Sequence, residues 1–282
     1  MATDSTPCCR RRNPALVAAH VVLLLAIAAG GLVPNNRGTV HAASGPAAEC
    51  VILLHGLGRT NHSMDKMADA LSDSGYLTVN LDYPSREQRI EVLAETTIPQ
   101  GIDQCMQGDA SRIHFVTHSM GGILVRYYLA HHPVARLGRV VMLSPPNQGS
   151  EAADELKETP LYRWINGPAG QQLTTGPDSL PARLGPVHYP VGIITGNQSA
   201  FYDAWTADII PGENDGKVSV ARARVQGMTD FLVLPYTHTF IMTAPEVIAQ
   251  TRYFLRHGHF QGGAADDGQA APDRRVPFQP GG

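Results

Sequence analysis

A chain of 282 residues with 43% hydrophobic composition is long enough to bury the core of one α/β domain with additions, or of two small domains at most. The formal net charge of −3, with no Lys/Arg cluster beyond the N-terminus, excludes the basic surface that nucleic-acid binding needs, so no nucleic-acid partner is expected. The first stretch reads as an address rather than as fold. Arg10-Arg11-Arg12 precedes an apolar run from Ala15 to Val33, densest over Val21–Ala29, and Val40-His41-Ala42 then places small residues at the −3 and −1 positions of a cleavage site. That is the order of a secretory signal peptide over residues 1–42. The run is also nearly long enough to span a bilayer, so an uncleaved N-terminal anchor, with membrane association through that segment, is the rival reading. Asn13-Pro14 follows the arginines where a twin-arginine signal would carry an apolar pair. Both readings export the domain, to the periplasm or medium or to the membrane face. Loss of residues 1–42 removes four arginines and one aspartate, and the more acidic remainder disfavours binding to anionic headgroups by charge.

Cys50-Val51-Ile52-Leu53-Leu54 is a short continuous apolar run, the mark of a strand buried on both faces, and His55-Gly56-Leu57-Gly58 ends it. A helix is expected from about Ser63 to Ser74, with Met64, Met67, Ala68 and Leu71 on one face and Gly75 as its stop. Residues 76–81 read as a second strand closed by Asp82-Tyr83-Pro84, and 87–106 as a helix ending before Gly108. Ile113–Thr117 is the third strand, Gly122–His131 a helix, and Arg139–Leu143 a fourth strand ending in Ser144-Pro145-Pro146. The alternation lapses from Asn147 to Pro186, a stretch carrying Leu156, Leu161, Tyr162, Trp164, Ile165 and Leu173 among scattered Gly and Pro. Strands resume at 187–195 and 231–234, and Pro245–Leu255 is a last helix. Alternating strands and helices predict a mostly parallel sheet covered on both faces, with residues 147–186 inserted over its C-terminal edge as a lid or cap. The domain is expected over residues 43–258, and the Gly-, Pro-, Gln- and Asp-rich tail 259–282 is expected to be disordered.

Of the four cysteines, Cys8 and Cys9 leave with the leader. Cys50 and Cys105 remain, and two thiols in an oxidising compartment invite a disulfide. Two buried thiols acting as small hydrophobes are the alternative. No CxxC pair or His/Cys cluster suggests a metal site, so neither metal nor cofactor is expected.

The chemistry-bearing segment is Arg112-Ile113-His114-Phe115-Val116-Thr117-His118-Ser119-Met120-Gly121-Gly122: an apolar strand, a tight Ser-containing turn, then a helix. Such a turn holds one serine hydroxyl out at the C-terminal end of a sheet. A free hydroxyl is a poor nucleophile at neutral pH, so Ser119 implies a base and an orienting acid elsewhere. His238 is the best placed of the twelve histidines, in a loop after a late strand and before the last helix. Asp215, in Gly212-Glu213-Asn214-Asp215-Gly216-Lys217-Val218, follows the preceding strand, with Asp203, Asp208 and Asp230 nearby as rivals. The order Ser, Asp, His suits an acid that holds the imidazole in the tautomer able to accept the serine proton. Backbone N–H groups of Leu57 and Met120 are the candidate oxyanion donors, and glycines at 56 and 58 let that loop fold close. His55 is expected to prop the loop, and His118 to pack or hydrogen-bond.

These pieces, in this order, resemble the α/β-hydrolase superfamily, and within it bacterial lipases and esterases of the triacylglycerol lipase type. The resemblance covers roughly residues 50–257, and Pro145-Pro146-Asn147-Gln148-Gly149-Ser150 is similar to the Pro-His-x-Gly-Ser stretch those lipases carry before their lid. It implies an α/β-hydrolase fold and an exported serine hydrolase cleaving small-molecule or lipid carboxylic esters through an acyl-enzyme. The same triad also serves acyltransferases, thioesterases and amidases, and a binding module that lost activity is the non-catalytic alternative; no signal for an oligomeric state is carried. Two departures stand out. The elbow has Thr117 where the family motif Gly-x-Ser-x-Gly has its first glycine, and Phe240 occupies the position where calcium-dependent lipases carry an acidic ligand. The inserted stretch is short and weakly amphipathic, which argues against interfacial activation.

Overall fold

The computed structural model describes residues 48–201 and 204–262. The expected leader (1–42), the rival acid Asp203, most of the expected tail, and the side chains of Leu161, Tyr162 and Ile165 lie outside the described residues. Six parallel strands form one sheet in the order β2-β1-β3-β4-β5-β6: β1 (Cys50–Leu54), β2 (Leu77–Leu81), β3 (Ile113–His118), β4 (Leu137–Leu143), β5 (Val191–Gly196) and β6 (Asp230–Leu234). Every residue of β1 and β3 is buried, as the continuous apolar run of β1 requires for a strand with neighbours on both sides and helices on both faces. The edge strands β2 and β6 are only partly buried.

Residues alternate between two cores. Ile52, Leu54, Phe115, Val140 and Met142 face helices α2 (Ile90–Gln107) and α3 (Met120–His131). Val51, Leu53, Val116, Val141 and Ile194 face α1 (Asp65–Ser72) and α9 (Pro245–His257). The last helix starts with Pro245 at its first turn, where the missing N–H costs nothing, and ends on Gly258 at φ 86°. Cys50, the first residue of β1, is disulfide-bonded to Cys105 in the last turn of α2, with Cα atoms 5.7 Å apart.

The structure departs from the sequence reading at several places. The third helix starts at Met120, directly on the elbow, rather than at Gly122. The fifth strand starts at Val191, because Pro190 has no N–H to give the ladder and Val187 turns to the Gln226 carbonyl instead. Packing also runs past the expected end at residue 258: Phe260 is buried against Phe254 (ring centroids 4.9 Å), and its N–H reaches Asp230 Oδ2 at 2.7 Å. Finally, the stretch after Asn147 contains three short helices, α4 (Glu151–Leu156), α5 (Pro160–Gln171) and α6 (Leu180–Arg183), and two more, α7 (Ala204–Ile209) and α8 (Val220–Ala223), follow β5.

Candidate active site

The site is assembled where strands end. At the close of β3 the backbone turns so sharply that Ser119 takes φ 53° and ψ −123°, a region a non-glycine residue enters only at a cost of about 1–3 kcal/mol. The turn is held by Ser119 N–H to the Leu143 carbonyl (2.8 Å) and Gly122 N–H to the Ser119 carbonyl (3.0 Å). Gly121 is required by proximity, since a Cβ there would lie 2.8 Å from the carbonyl oxygens of both Leu54 and His55. Thr117 is fully buried, and a Cβ at Gly122 would lie 3.2 Å from Pro145 Cβ and 3.3 Å from both Met142 Sδ and Thr117 Oγ1, so the glycine keeps clear a space that these three side chains border.

Ser119 Oγ lies 3.0 Å from His238 Nε2, and His238 Nδ1 lies 2.9 Å from Asp215 Oδ2. The carboxylate can only accept, which assigns a proton to Nδ1 and leaves the Nε2 lone pair facing the serine hydroxyl. Asp215 is fully buried, and its second oxygen accepts from the N–H groups of Lys217 (3.1 Å) and Val218 (2.9 Å). The acid loop is braced from the segment after β4: Ser150 Oγ donates to the Lys217 carbonyl at 2.7 Å, and Glu151 pairs with Arg222 at 2.9 Å. Two of the rivals are among the described residues. Asp230 begins β6, at the opposite end of the sheet, and is engaged with Phe231 and Phe260 N–H groups; Asp208 belongs to α7.

The loop after β1 approaches Ser119 closely. A Cβ at Gly56 would come within 2.9 Å of His118 Nδ1 and 3.1 Å of Ser119 Cβ. Among the described residues, neither the Leu57 nor the Met120 N–H has an acceptor. His55 props this loop as expected: Nδ1 lies 2.9 Å from the Gly56 carbonyl, Nε2 lies 3.3 Å from both the Tyr83 N–H and Asp82 Oδ1, and the ring stacks on Tyr83 at 4.0 Å. Burial lowers the pKa of His55, outweighing the Asp82 carboxylate beside it.

Four supporting residues escaped the sequence reading. Tyr83 donates to the His55 carbonyl, and Ser85 Oγ accepts the Gly58 N–H at 2.9 Å, so the strand closure Asp82-Tyr83-Pro84 is also the brace of the first loop. Arg59 Nη2 donates to the Thr239 carbonyl at 3.0 Å, tying the same loop to the one bearing His238. Arg126, 3% exposed, donates to the carbonyls of Asn147 (2.7 Å), Gly185 (2.7 Å) and Pro181 (3.3 Å), with no acid paired to it among the described residues; burial brings its pKa down to about 10. It ties Asn147 to the Pro181–Gly185 turn, and a lone arginine in a helix pattern gave no sign of this. Within the insertion, α5 lies against the first loop: a Cβ at Gly170 would touch Leu57 Cδ2 at 3.3 Å.

A serine held in strain between a strand and a helix, at the C-terminal edge of an all-parallel sheet, defines the nucleophile-elbow class of α/β proteins. The sequence profile of the alpha/beta hydrolase family matches residues 51–276, and the chain belongs to that family. Its fold is similar to the mature form of the Bacillus licheniformis lipase BlEst2 (TM-score 0.62, 20% identity, 75% of this chain and 93% of that one). It is similar also to the metagenomic carboxyl esterase MGS0156 (0.55, 21%, 69% and 65%) and to the phospholipase PlaB of Legionella pneumophila (0.54, 22%, 63% and 46%). The chain thus spans less than half of that phospholipase. No curated protein matches the sequence.

Proposed function

We propose that the protein is an exported serine hydrolase that cleaves carboxylic esters, small-molecule or lipid, through an acyl-enzyme. The observation that carries the reading is the unbroken hydrogen-bond chain from Ser119 Oγ through the His238 ring to the buried Asp215 carboxylate. Ser119 Oγ attacks the ester carbonyl while His238 Nε2 takes its proton. The negative charge then on the carbonyl oxygen is met by the N–H groups of Leu57 and Met120, which have no other acceptor among the described residues. Asp215 steadies the imidazolium until Nε2 passes the proton to the departing alkoxide, and the alcohol leaves. Water, deprotonated by the same nitrogen, then attacks the acyl-serine, the proton returns to Ser119, and the acid is released. Helices α4 to α6 serve as the lid, a role supported by the contact of α5 with the Leu57 loop. Export rests on the leader read at residues 1–42.

The test is Ser119→Ala. Turnover of p-nitrophenyl esters should fall by about 10³-fold or more, with fluorophosphonate labelling abolished and the thermal midpoint retained. Unchanged turnover by the variant would overturn the assignment.

A further inference from the structure

His118, the last residue of β3 and the immediate neighbour of Ser119, is 1% exposed. Its Nε2 lies 3.0 Å from the carbonyl oxygen of His238, 120 residues along the chain. A carbonyl can only accept, so Nε2 carries the proton and Nδ1 is a bare lone pair. That Nδ1 is buried without a partner, turned toward Gly56. A residue retained only to fill space would not leave a nitrogen buried and unpaired, because an unmade hydrogen bond costs stability that a hydrocarbon ring avoids. The bond on the other nitrogen is therefore the informative one.

The backbone around His238 is tied on three sides. Its N–H donates to the Asp215 carbonyl (3.0 Å), its carbonyl accepts from His118, and the next carbonyl, of Thr239, accepts from Arg59. Each tie comes from a segment that also supplies a different part of the site: the acid loop, the elbow strand and the loop of Leu57. The rings of His118 and His238 are 4.9 Å apart and tilted by 53°. Burial first, and then the facing groups His238, Arg59 and His55, push the pKa of His118 well down, so a neutral ring sits beside the base.

We propose that His118 is a positioning residue, whose Nε2–H holds the His238 backbone so that His238 Nε2 stays aligned with Ser119 Oγ; this rests on the triad reading above. The alignment is worth the rate that is lost when a reacting group drifts by a fraction of an ångström, about 10- to 100-fold. The test compares the wild type with His118→Phe, which fills the space without a donor, and His118→Gln, whose terminal amide reaches about as far as Nε2. We expect H118F to lower kcat for p-nitrophenyl acetate, and the rate of fluorophosphonate labelling, by about 10- to 100-fold with KM within about threefold. H118Q should restore both rates to within about fivefold of wild type, which packing alone does not predict. If H118F fails to fold, His118→Met, with the length of glutamine and no donor, takes its place. Wild-type rates in the donor-less variant, or a loss in H118Q as deep as in that variant, would overturn the role of His118. A wild-type protein that neither turns over ester nor labels would instead overturn the triad reading, and the two failures are told apart by that control.

Discussion

Ser119 keeps a left-handed backbone that an L-residue avoids, and the surrounding residues are chosen to permit it. Gly121 lets α3 start against β1, Gly122 keeps clear a space bordered by Thr117, and Gly56 brings the first loop over the serine. The threonine at 117, which looked like a flaw in the motif, borders the space kept clear by a glycine five positions on; a consensus pattern judges each position alone and so reads only the loss. Gly56 has less latitude than its ordinary backbone suggests, since the clash is with His118 and Ser119 and not with its own conformation. Gly56→Ala should therefore lower kcat by about 10-fold or more, because the added methyl must push the His118 ring or the serine. Steady-state kinetics on a p-nitrophenyl ester test this, and an unchanged kcat would show that the contact yields freely. The meeting of Ser119, His238 and Asp215 was legible because each of the three follows a recognisable strand in a fixed order. Tyr83, Ser85, Arg59 and Arg126 were not, because each acts through a side-chain bond to a distant backbone group that leaves no local pattern.

Among the elements, the strands were the most readable, since a buried parallel strand must be apolar at successive residues and little else in a chain is. The helices after β4 and β5 were the least readable. They are four to twelve residues long, and α5 carries interior Gly and Pro with Gly167 at φ 59° marking a kink, so no sustained period survives. The Cys50–Cys105 bond was open between two readings and is formed, because the first residue of β1 and the last turn of α2 meet at the same end of the sheet. It closes a loop with a sequence separation of 55 residues, for which chain entropy gives a stabilisation of about 4 kcal/mol. Replacing both cysteines by Ala should lower the denaturation midpoint accordingly, while kcat at 25 °C stays within about twofold, since the bond lies at the end of the sheet away from Ser119. A urea titration beside an activity assay measures both, and a variant as stable as wild type would refute the estimate.

At the scale of the molecule, chemistry and reinforcement sit at opposite ends of one parallel sheet. Ser119, Asp215, His238 and the Leu57 loop all follow strand C-termini, while the disulfide joins the N-terminal end of β1 to α2. The order of strands then has a consequence for how the protein fails. The loop of His238 continues from β6, which borders the sheet, pairs with β5 alone and is buried fully at Leu234 only. Ser119 instead follows β3, in the middle of the sheet and buried throughout. Local opening starts where contacts are fewest. In a urea titration, ester turnover should accordingly vanish at a lower concentration than the far-ultraviolet dichroism of the domain; coincident curves would show that β6 opens only with the whole. On the proposed mechanism the serine follows a central, fully buried strand and its proton acceptor follows an edge strand, so a mildly stressed molecule should fall silent with its nucleophile still in place and recover by re-docking a single strand.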